Sequence, residues 1–303
     1  MSIVAKIKNE YANYRLTKIN KLENSVKEIE ECITASSSSP EKLMPDKLEM
    51  TLKTLPRQLS IAKNMELTVK SLKNNPENPK VDAKVDFIKQ FENYAKSIGI
   101  DDIRYVKVPS DLIFKDKSIL FDNAIILTME MGKKAVDVAP SPKTQEMSNV
   151  TYDELGKKTN ELAEFLRENG FASHVSHPAG GIVMYPHLAQ KAGLGYRGIH
   201  GMLITPEFGP RQRLSAIFTS IRNLPVNEIN RHSWIPDFCA KCGKCIKNCP
   251  GNAILQQTSS ETGKRKTKII KDLCSGCTIC MRECSFNRKE YEQIKENLKN
   301  LKD

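Results

Sequence analysis

Eight of the nine cysteines in this 303-residue chain lie in two short runs, while Cys32 stands apart from them. The runs read Cys239-x2-Cys242-x2-Cys245-x3-Cys249 and Cys274-x2-Cys277-x2-Cys280-x3-Cys284. A disulfide framework spreads its cysteines through a small secreted chain, whereas tight repeats of this kind are typical of metal ligation. The spacing therefore predicts a metal-binding module in the last quarter of the sequence.

Zinc is one candidate for the metal, since paired Cys-x2-Cys sequences also build zinc ribbons. A zinc ribbon needs four ligands, however, and this chain has two full quartets. The first quartet ends in Cys249-Pro250, a spacing typical of [4Fe–4S] clusters. Residues 253–255 and 268–270 read as short strands around a polar turn at 258–264. Residues 232–290 therefore resemble the bacterial two-cluster ferredoxin module.

In that module the fourth cysteine of each run binds the cluster of the other run. The resemblance implies two crossed sets of ligands, one of them Cys239, Cys242, Cys245 and Cys284, the other Cys274, Cys277, Cys280 and Cys249. Ser285 departs from the pattern, because a proline often follows the last cysteine. This change removes no ligand.

The residues before the cysteines change their pattern near position 80. Up to that point we expect a helix over 2–33, a serine-rich loop at 35–40 and a second helical stretch over 47–73, interrupted by Pro56. This region reads as a helical appendage.

After position 80, helical and strand-like segments alternate. We expect a helix over 82–98, strands near 103–108 and 119–131, a helix from Thr151 to Asn169 opened by a capping box, and a strand near 171–176. Alternation of this kind predicts a layered α/β domain. The expected regions are therefore a helical region at 1–80, an α/β domain at 81–228, the cluster module at 229–290 and a helical tail at 291–303.

Composition places the chain among ordinary soluble proteins, with 39% hydrophobic and 27% charged residues. No apolar run approaches the ~20 residues of a membrane span, and the first residues show no export signal. We expect a cytoplasmic protein without a membrane partner. The net charge of +11 is concentrated toward both ends. This bias would suit an acidic redox partner, an anionic cofactor tail or, least favoured, a nucleic acid.

A glycine-rich segment contains Gly193-x-Gly195-x-x-Gly198, formally the dinucleotide-binding fingerprint. That fingerprint should follow a strand, open a helix and precede an acidic residue about 20 positions on. Here a helical segment precedes it, the strand-like residues 202–205 follow, and residues 208–226 contain no acid. We expect instead a loop with few side chains that a large flat ligand can approach.

The same segment resembles a known family. Ala192-Gly-Leu-Gly195, Gly198 and Leu203-Ile-Thr-Pro-Glu-Phe-Gly-Pro-Arg211 are similar to the core of the corrinoid-dependent iron–sulfur reductases, which include reductive dehalogenases and epoxyqueuosine reductases. The resemblance covers residues 82–290. It implies a nitroreductase-like α/β domain for cobalamin followed by a ferredoxin-like two-cluster module. With the N-terminal helical appendage that the sequence pattern predicts, the expected fold class is α+β. The cofactor contacts it implies are Gly193, Gly195, Tyr196, Arg197, Gly198, Leu203, Thr205 and Arg211.

One departure concerns the proton donor. Epoxyqueuosine reductases place a catalytic aspartate upstream of this glycine motif, where the present chain has Ala179. Either the donor is Tyr185, His177 or Tyr196, or the chain carries out no chemistry on a substrate.

The resemblance implies an iron–sulfur oxidoreductase. Single electrons would pass from reduced ferredoxin or flavodoxin, through two [4Fe–4S] clusters, to cobalamin and on to a small-molecule substrate. An alternative is a non-catalytic electron-transfer protein that reduces a partner such as a corrinoid protein. A third is a ferredoxin-type protein whose α/β domain binds another ligand.

Overall fold

The computed structural model describes residues 3–41, 54–227, 229–258 and 265–299. Its helices are α1 (Ile3–Ser25), α2 (Leu55–Lys70), α3 (Val85–Ser97), α4 (Lys133–Val136), α5 (Pro142–Glu168), α6 (Tyr185–Lys191), α7 (Ile235–Cys242), α8 (Lys244–Lys247), α9 (Ile279–Arg282), α10 (Ser285–Arg288) and α11 (Tyr291–Lys299). The strands are β1 (Ile33–Thr34), β2 (Asp102–Lys107), β3 (Ser118–Ile119), β4 (Asn123–Glu130), β5 (Ser173–Ser176), β6 (Tyr196–Arg197), β7 (Leu203–Ile204), β8 (Gln212–Thr219), β9 (Ile254–Thr258) and β10 (Arg265–Ile269).

The chain forms two compact units, and neither is continuous in sequence. The unit we call the sheet unit comprises Met1–Met129, Asn149–Leu188 and Arg213–Asn227. The unit we call the cysteine unit comprises Glu130–Ser148, Ala189–Gln212 and Glu228–Asp303. The sequence boundaries at 80, 228 and 290 divide the chain in order, and they remain a prediction.

The sheet unit is built on four strands in the order β2-β4-β8-β5. Strands β2 and β4 pair antiparallel, as do β5 and β8. Alternate residues of these strands point into one core together with α3 and α5, as the two-residue period of a strand requires. The core includes Ile103, Tyr105, Ile125, Leu127, Val175, Ile217, Phe91, Leu155, Leu162 and Leu166. This is the mixed α/β architecture that the alternating pattern predicted.

Helix α5 is longer than its sequence pattern indicated, because it begins at Pro142 and passes through the supposed capping box at Thr151. The start signal is Ser141, whose hydroxyl accepts the backbone N–H of Thr144 at 3.1 Å. Proline is favoured at the first helical position since its missing N–H has no partner there. The capping-box interpretation was therefore wrong.

Proline also begins α2 rather than interrupting it, since Pro56 lies in the first turn of the helix. The earlier part of the predicted stretch, residues 47–53, lies outside the described residues. Helix α1 ends at Ser25, before the predicted end, and β1 then pairs antiparallel with β3. An ion pair of Arg15 with the buried carboxylate of Glu66 joins α1 to α2, and Lys70 pairs with the same carboxylate within α2.

The cysteine unit contains two hairpins. Strands β6 and β7 pair antiparallel, with Tyr196 opposite Ile204, and we call residues 193–205 the glycine hairpin. Strands β9 and β10 form the second hairpin, with Ile254 opposite Ile269, between the two cysteine runs. Both strands of this second hairpin were predicted, and most of the turn between them lies outside the described residues. Among the described helices, none has the length and apolar character that a membrane crossing requires.

Candidate iron–sulfur and cofactor site

Four of the predicted ligands line one cavity of the cysteine unit. Cys239 and Cys242 lie on α7, Cys245 lies on α8, and Cys284 immediately precedes α10. The wall also includes His200, Phe238 and Phe286. The structure thus brings together the four thiols that the sequence assigned to one cluster. We call this place the inner cysteine site.

Burial dominates the electrostatics of the inner cysteine site. It raises the pKa of Cys239 and of Cys245 to about 11, because a thiolate loses its hydration there. Burial also raises the pKa of Cys284, and the neighbouring thiols at Cys239, Cys245 and Cys242 raise it further. These thiols are therefore protonated at neutral pH until a metal displaces their protons.

The second set of cysteines is more open. Cys274 is exposed, and Cys277 and Cys280 are partly buried. Burial raises the pKa of Cys280 to about 12, with further contributions from the thiols of Cys245, Cys277 and Cys274. Cys280 therefore lies near the inner cysteine site as well as in its own set. We call the set Cys249, Cys274, Cys277 and Cys280 the outer cysteine site.

The turn after Cys249 packs closely against the second run. A side chain added at Gly251 would meet the carbonyl oxygen of Leu273, the residue before Cys274. Helix α8 also packs against α9. Both contacts bring Cys249 toward the second run. The crossed ligand assignment itself remains a prediction.

The two runs repeat one backbone feature. The residue after the second cysteine is left-handed in each run, with φ of 59° at Gly243 and 66° at Thr278. Glycine adopts this conformation freely, whereas a β-branched residue does so rarely. The turn lets the third cysteine of each run face the same space as the first two. Strained residues of this kind concentrate at functional sites.

Hydrogen bonds reach the sulfur atoms from three places. The Ser285 hydroxyl lies 3.3 Å from Cys242 Sγ, and the backbone N–H of Ala253 donates to Cys249 Sγ at 3.3 Å. A backbone hydrogen bond from Ile199 also contacts the thiol of Cys239 and favours its ionised form. Hydrogen bonds to sulfur adjust the potential of an iron–sulfur cluster. Ser285, noted in the sequence only as a missing proline, therefore has a role of its own at the inner cysteine site.

The glycine hairpin is tightly folded on itself. A side chain at Gly195 would meet the carbonyl group of Ile204, and one at Gly198 would meet the side chains of Ile204 and His200. The left-handed glycines of this hairpin are Gly193 and Gly201, with φ of 71° and 79°, and not Gly195. A substitution of Gly195 would therefore disturb the hairpin itself, whatever ligand the hairpin binds.

Arg197 is the most available cation of this hairpin. Its backbone N–H and its Nε both donate to Gln190 Oε1, at 3.2 and 3.4 Å. Burial lowers its pKa, although guanidinium stays charged in proteins. In the described part of the chain, no carboxylate forms an ion pair with it. Tyr196 beside it is partly buried among the apolar residues around the inner cysteine site.

The other predicted cofactor contacts are engaged within the cysteine unit. The guanidinium of Arg211 is buried and pairs with the carboxylate of Glu130. Thr205 is buried, and its hydroxyl accepts the backbone N–H of Phe208 at 3.2 Å. Leu203 is buried in the hairpin. These three residues stabilise the segment that follows the hairpin, and their contact with a cofactor remains a prediction.

Two of the three candidate proton donors belong to the sheet unit. The Tyr185 hydroxyl lies 2.6 Å from Ser176 Oγ and donates to the carbonyl oxygen of His177 at 2.9 Å. Burial raises the pKa of Tyr185 above its ordinary value. His177 is buried, and its Nδ1 accepts the backbone N–H of Ala179 at 3.0 Å. These contacts stabilise a turn, and a role in proton transfer remains a prediction.

Sequence reasoning missed His200, which lines the inner cysteine site. Its Nδ1 accepts the backbone N–H of Met202 at 3.1 Å, and burial lowers its pKa to about 4. The only signal in the sequence is a histidine placed between Ile199 and Gly201 in the glycine-rich segment. Nothing in that spacing relates it to cysteines some forty positions later.

In the described residues, no three His, Cys, Asp or Glu side chains surround a point that one metal ion could occupy. Four thiols line the inner cysteine site. In a four-iron cluster each cysteine binds a different iron atom of one cube, so four thiols around one cavity match the ligand set of one cluster.

Comparison with known proteins gives the same module. The family described as 4Fe-4S dicluster domain matches residues 238–287. A tetrachloroethene reductive dehalogenase of Desulfitobacterium hafniense is 29% identical over 198 residues, which cover 58% of this chain and 34% of that protein. An epoxyqueuosine reductase of Listeria monocytogenes is 28% identical over 115 residues, covering 33% of this chain and 29% of that protein. The chain thus spans about a third of the length of these curated relatives.

Solved structures show the same fold. The N-terminally tagged catabolic reductive dehalogenase NpRdhA matches with a TM-score of 0.61 and 17% identity, over 79% of this chain and 38% of that one. A reductive dehalogenase linked to B12-dependent dehalogenation matches with a TM-score of 0.59 and 16% identity, over 79% of this chain and 38% of that one.

The cysteine spacing, the matched module and the relatives on both branches agree with the resemblance of the glycine-rich segment. The chain therefore belongs to the superfamily of iron–sulfur reductases that includes the reductive dehalogenases and the epoxyqueuosine reductases, and it carries a ferredoxin-type [4Fe–4S] module.

Proposed function

We propose that this protein is a corrinoid-dependent reductase that passes single electrons through two [4Fe–4S] clusters to cobalamin and on to a small-molecule substrate. One observation carries the proposal. Tyr196, Ile199 and Ile204 of the glycine hairpin pack in one apolar cluster with Cys239, Cys245 and Cys284. The predicted cofactor segment and the inner cysteine site are therefore neighbours within one unit. For the fold, we propose a nitroreductase-like α/β part and a two-cluster ferredoxin-type module.

The thiols fit the clusters by number and by surroundings. The inner cysteine site offers four thiols around one cavity, and sulfur-directed hydrogen bonds reach Cys242 of the inner site and Cys249 of the outer site. The left-handed turns at Gly243 and Thr278 orient the two runs alike. In the proposed assignment Cys284 completes the inner set and Cys249 completes the outer set.

The glycine hairpin fits a corrinoid by its charge. The guanidinium of Arg197 is half-buried and forms no ion pair with a carboxylate of the described residues, so it could bind the phosphate of a cobalamin tail. Gly195 and Gly198 are buried, and Ile204 fills the space beside both of them, so these glycines let the hairpin close on itself. Bound cobalamin would supply a cobalt centre that accepts single electrons and reduces the substrate.

The outer cysteine site is the proposed entry for electrons. Cys274 is exposed, and exposed lysines lie in α7, in α8, in β10 and just before the second run: Lys241, Lys244, Lys247, Lys268 and Lys271. A basic surface attracts an acidic partner and accelerates its docking. We propose reduced ferredoxin or flavodoxin as the donor, with this surface as its docking place.

Anaerobic reconstitution tests both cofactors. Purified protein supplied with iron and sulfide should bind about eight of each per chain, as two four-iron clusters require. Added cobalamin, titrated under reducing conditions, should then show the resolved absorbance bands of a bound corrinoid. A content near one zinc without sulfide would overturn the iron–sulfur assignment.

A second function would remain if clusters form but cobalamin does not bind. Ala179 stands where the epoxyqueuosine branch places its aspartate. This observation favours a non-catalytic electron-transfer protein that reduces a corrinoid protein. The two functions differ in one measurement, the cobalamin titration.

A further inference from the structure

His200 is buried beside the inner cysteine site with an unused polar atom. The side chain is only 7% exposed, and its ring lines the same cavity as Cys239, Cys242, Cys245 and Cys284. Its Nδ1 accepts the backbone N–H of Met202, so the proton of the neutral ring lies on Nε2. Nε2 is buried and has no hydrogen-bond partner among the described residues.

A buried N–H without an acceptor costs free energy, so native structures almost always pair it. Apart from the thiols, the wall of the cavity includes Phe238, Phe286, Gly243, Lys244 and Ser285. None of these residues forms a hydrogen bond with Nε2. The natural acceptor in this cavity is sulfur, which carries negative charge once a cluster is bound.

We propose that the Nε2–H of His200 donates a hydrogen bond to a sulfur of the inner cluster and raises the reduction potential of that cluster above the outer one. The inference rests on the proposed two-cluster function. Reduction adds one negative charge to a cluster, and a hydrogen bond to sulfur stabilises that charge. His200 is a positioning residue that acts on the cluster and does not touch the substrate. The resulting difference in potential would drive electrons from the outer to the inner cluster, toward the glycine hairpin.

Two substitutions distinguish the role of Nδ1 from the role of Nε2. In His200→Asn, the side-chain oxygen takes the place of Nδ1 and can still accept the N–H of Met202, but nothing reaches the position of Nε2. In His200→Gln, the amide nitrogen reaches the position of Nε2, but the bond to Met202 is lost. A structural role in the hairpin predicts harm from Gln and little from Asn. The proposed role predicts the opposite for the potential.

The experiment is a redox titration of the reconstituted wild-type chain and both variants, followed by EPR, with iron content measured in each sample. We expect His200→Asn to lower the reduction potential of one cluster by up to about 59 mV. For one electron this corresponds to about a tenfold change in the equilibrium constant of reduction. The other cluster should keep its potential. In His200→Gln, the reduction potential of the same cluster should differ from the wild-type value by less than about a third of that shift. Equal shifts in the two variants, or no shift in His200→Asn, would overturn the proposal.

A spectroscopic measurement on the wild-type chain keeps the proposal testable if a variant fails to assemble. Protein labelled with 15N-histidine should show hyperfine coupling between a histidine nitrogen and one reduced cluster, and absence of that coupling refutes the proposal. If the wild-type chain forms no clusters at all, the proposed function fails and this inference falls with it. If clusters form but these comparisons fail, only the role of His200 is lost.

Discussion

Serine in place of Cys284 is expected to remove one whole cluster and leave the other intact. Cys284 is buried among the thiols of Cys239, Cys245 and Cys242, although it belongs to the second run of the sequence. Iron should fall from about eight to about four atoms per chain. The EPR signal that disappears should be the one lost in Cys239→Ser, and not the one lost in Cys274→Ser.

The matched control for this substitution is Cys32→Ser. Cys32 belongs to the sheet unit and to neither cysteine run. Its Sγ contacts the carbonyl oxygen of Lys27 at 3.6 Å. Its loss should leave the iron content unchanged. If Cys284→Ser instead abolished the same EPR signal that Cys274→Ser abolishes, each run would bind its own cluster. The crossed assignment would then be wrong.

Alanine at Gly209 is expected to lower the free energy of unfolding strongly. The loss should exceed that of alanine at a glycine that has a similar φ but open space around the added Cβ atom. Gly209 has φ of 57°, where a residue with a Cβ atom costs about 1–2 kcal/mol. The added carbon would also meet the carbonyl oxygen of Phe286, and overpacking of this kind costs about 1–3 kcal/mol more. The total loss should be about 2–5 kcal/mol.

Gly243 provides the control, because its φ of 59° is nearly the same and nothing lies within 4 Å of an added Cβ atom. Gly243→Ala should cost only the backbone part, about 1–2 kcal/mol. Thermal unfolding of the anaerobic, cluster-loaded chains measures the difference. Equal midpoints for the two variants would show that Gly209 does not pack on the segment after Cys284.

Local sequence patterns predicted the elements of this site well, for a physical reason. Ligand spacing, hairpin strands and the glycine-rich turn depend on residues close together in the chain, such as Cys239 and Cys242 or Ile254 and Ile269. The start of α5 was misread because Ser141-Pro142 and Thr151 both carry helix-start signals. Only packing decides between such signals, and apolar positions extend on both sides of Thr151.

Contacts between segments that lie far apart in the sequence could not be predicted from the sequence. Gly209 against Phe286, Arg211 with Glu130, and His200 beside Cys239 join residues that no local period relates. In this hairpin the left-handed backbone lies at Gly193 and Gly201 and not at Gly195. The glycine at 195 is required by the closeness of Ile204, which only the folded hairpin reveals.

The unequal burial of the two cysteine sites also determines how the protein meets oxygen. Oxidants attack thiolates that solvent can reach. Burial keeps Cys239, Cys245 and Cys284 shielded and protonated when their site is unfilled, whereas Cys274 is open to solvent. Damage in air therefore begins at the outer site, where early sulfenic acids and disulfides are reversible. A chain exposed briefly to air should lose the outer site, the proposed entry for electrons, first, and it should keep an inner site that new iron and sulfide can refill.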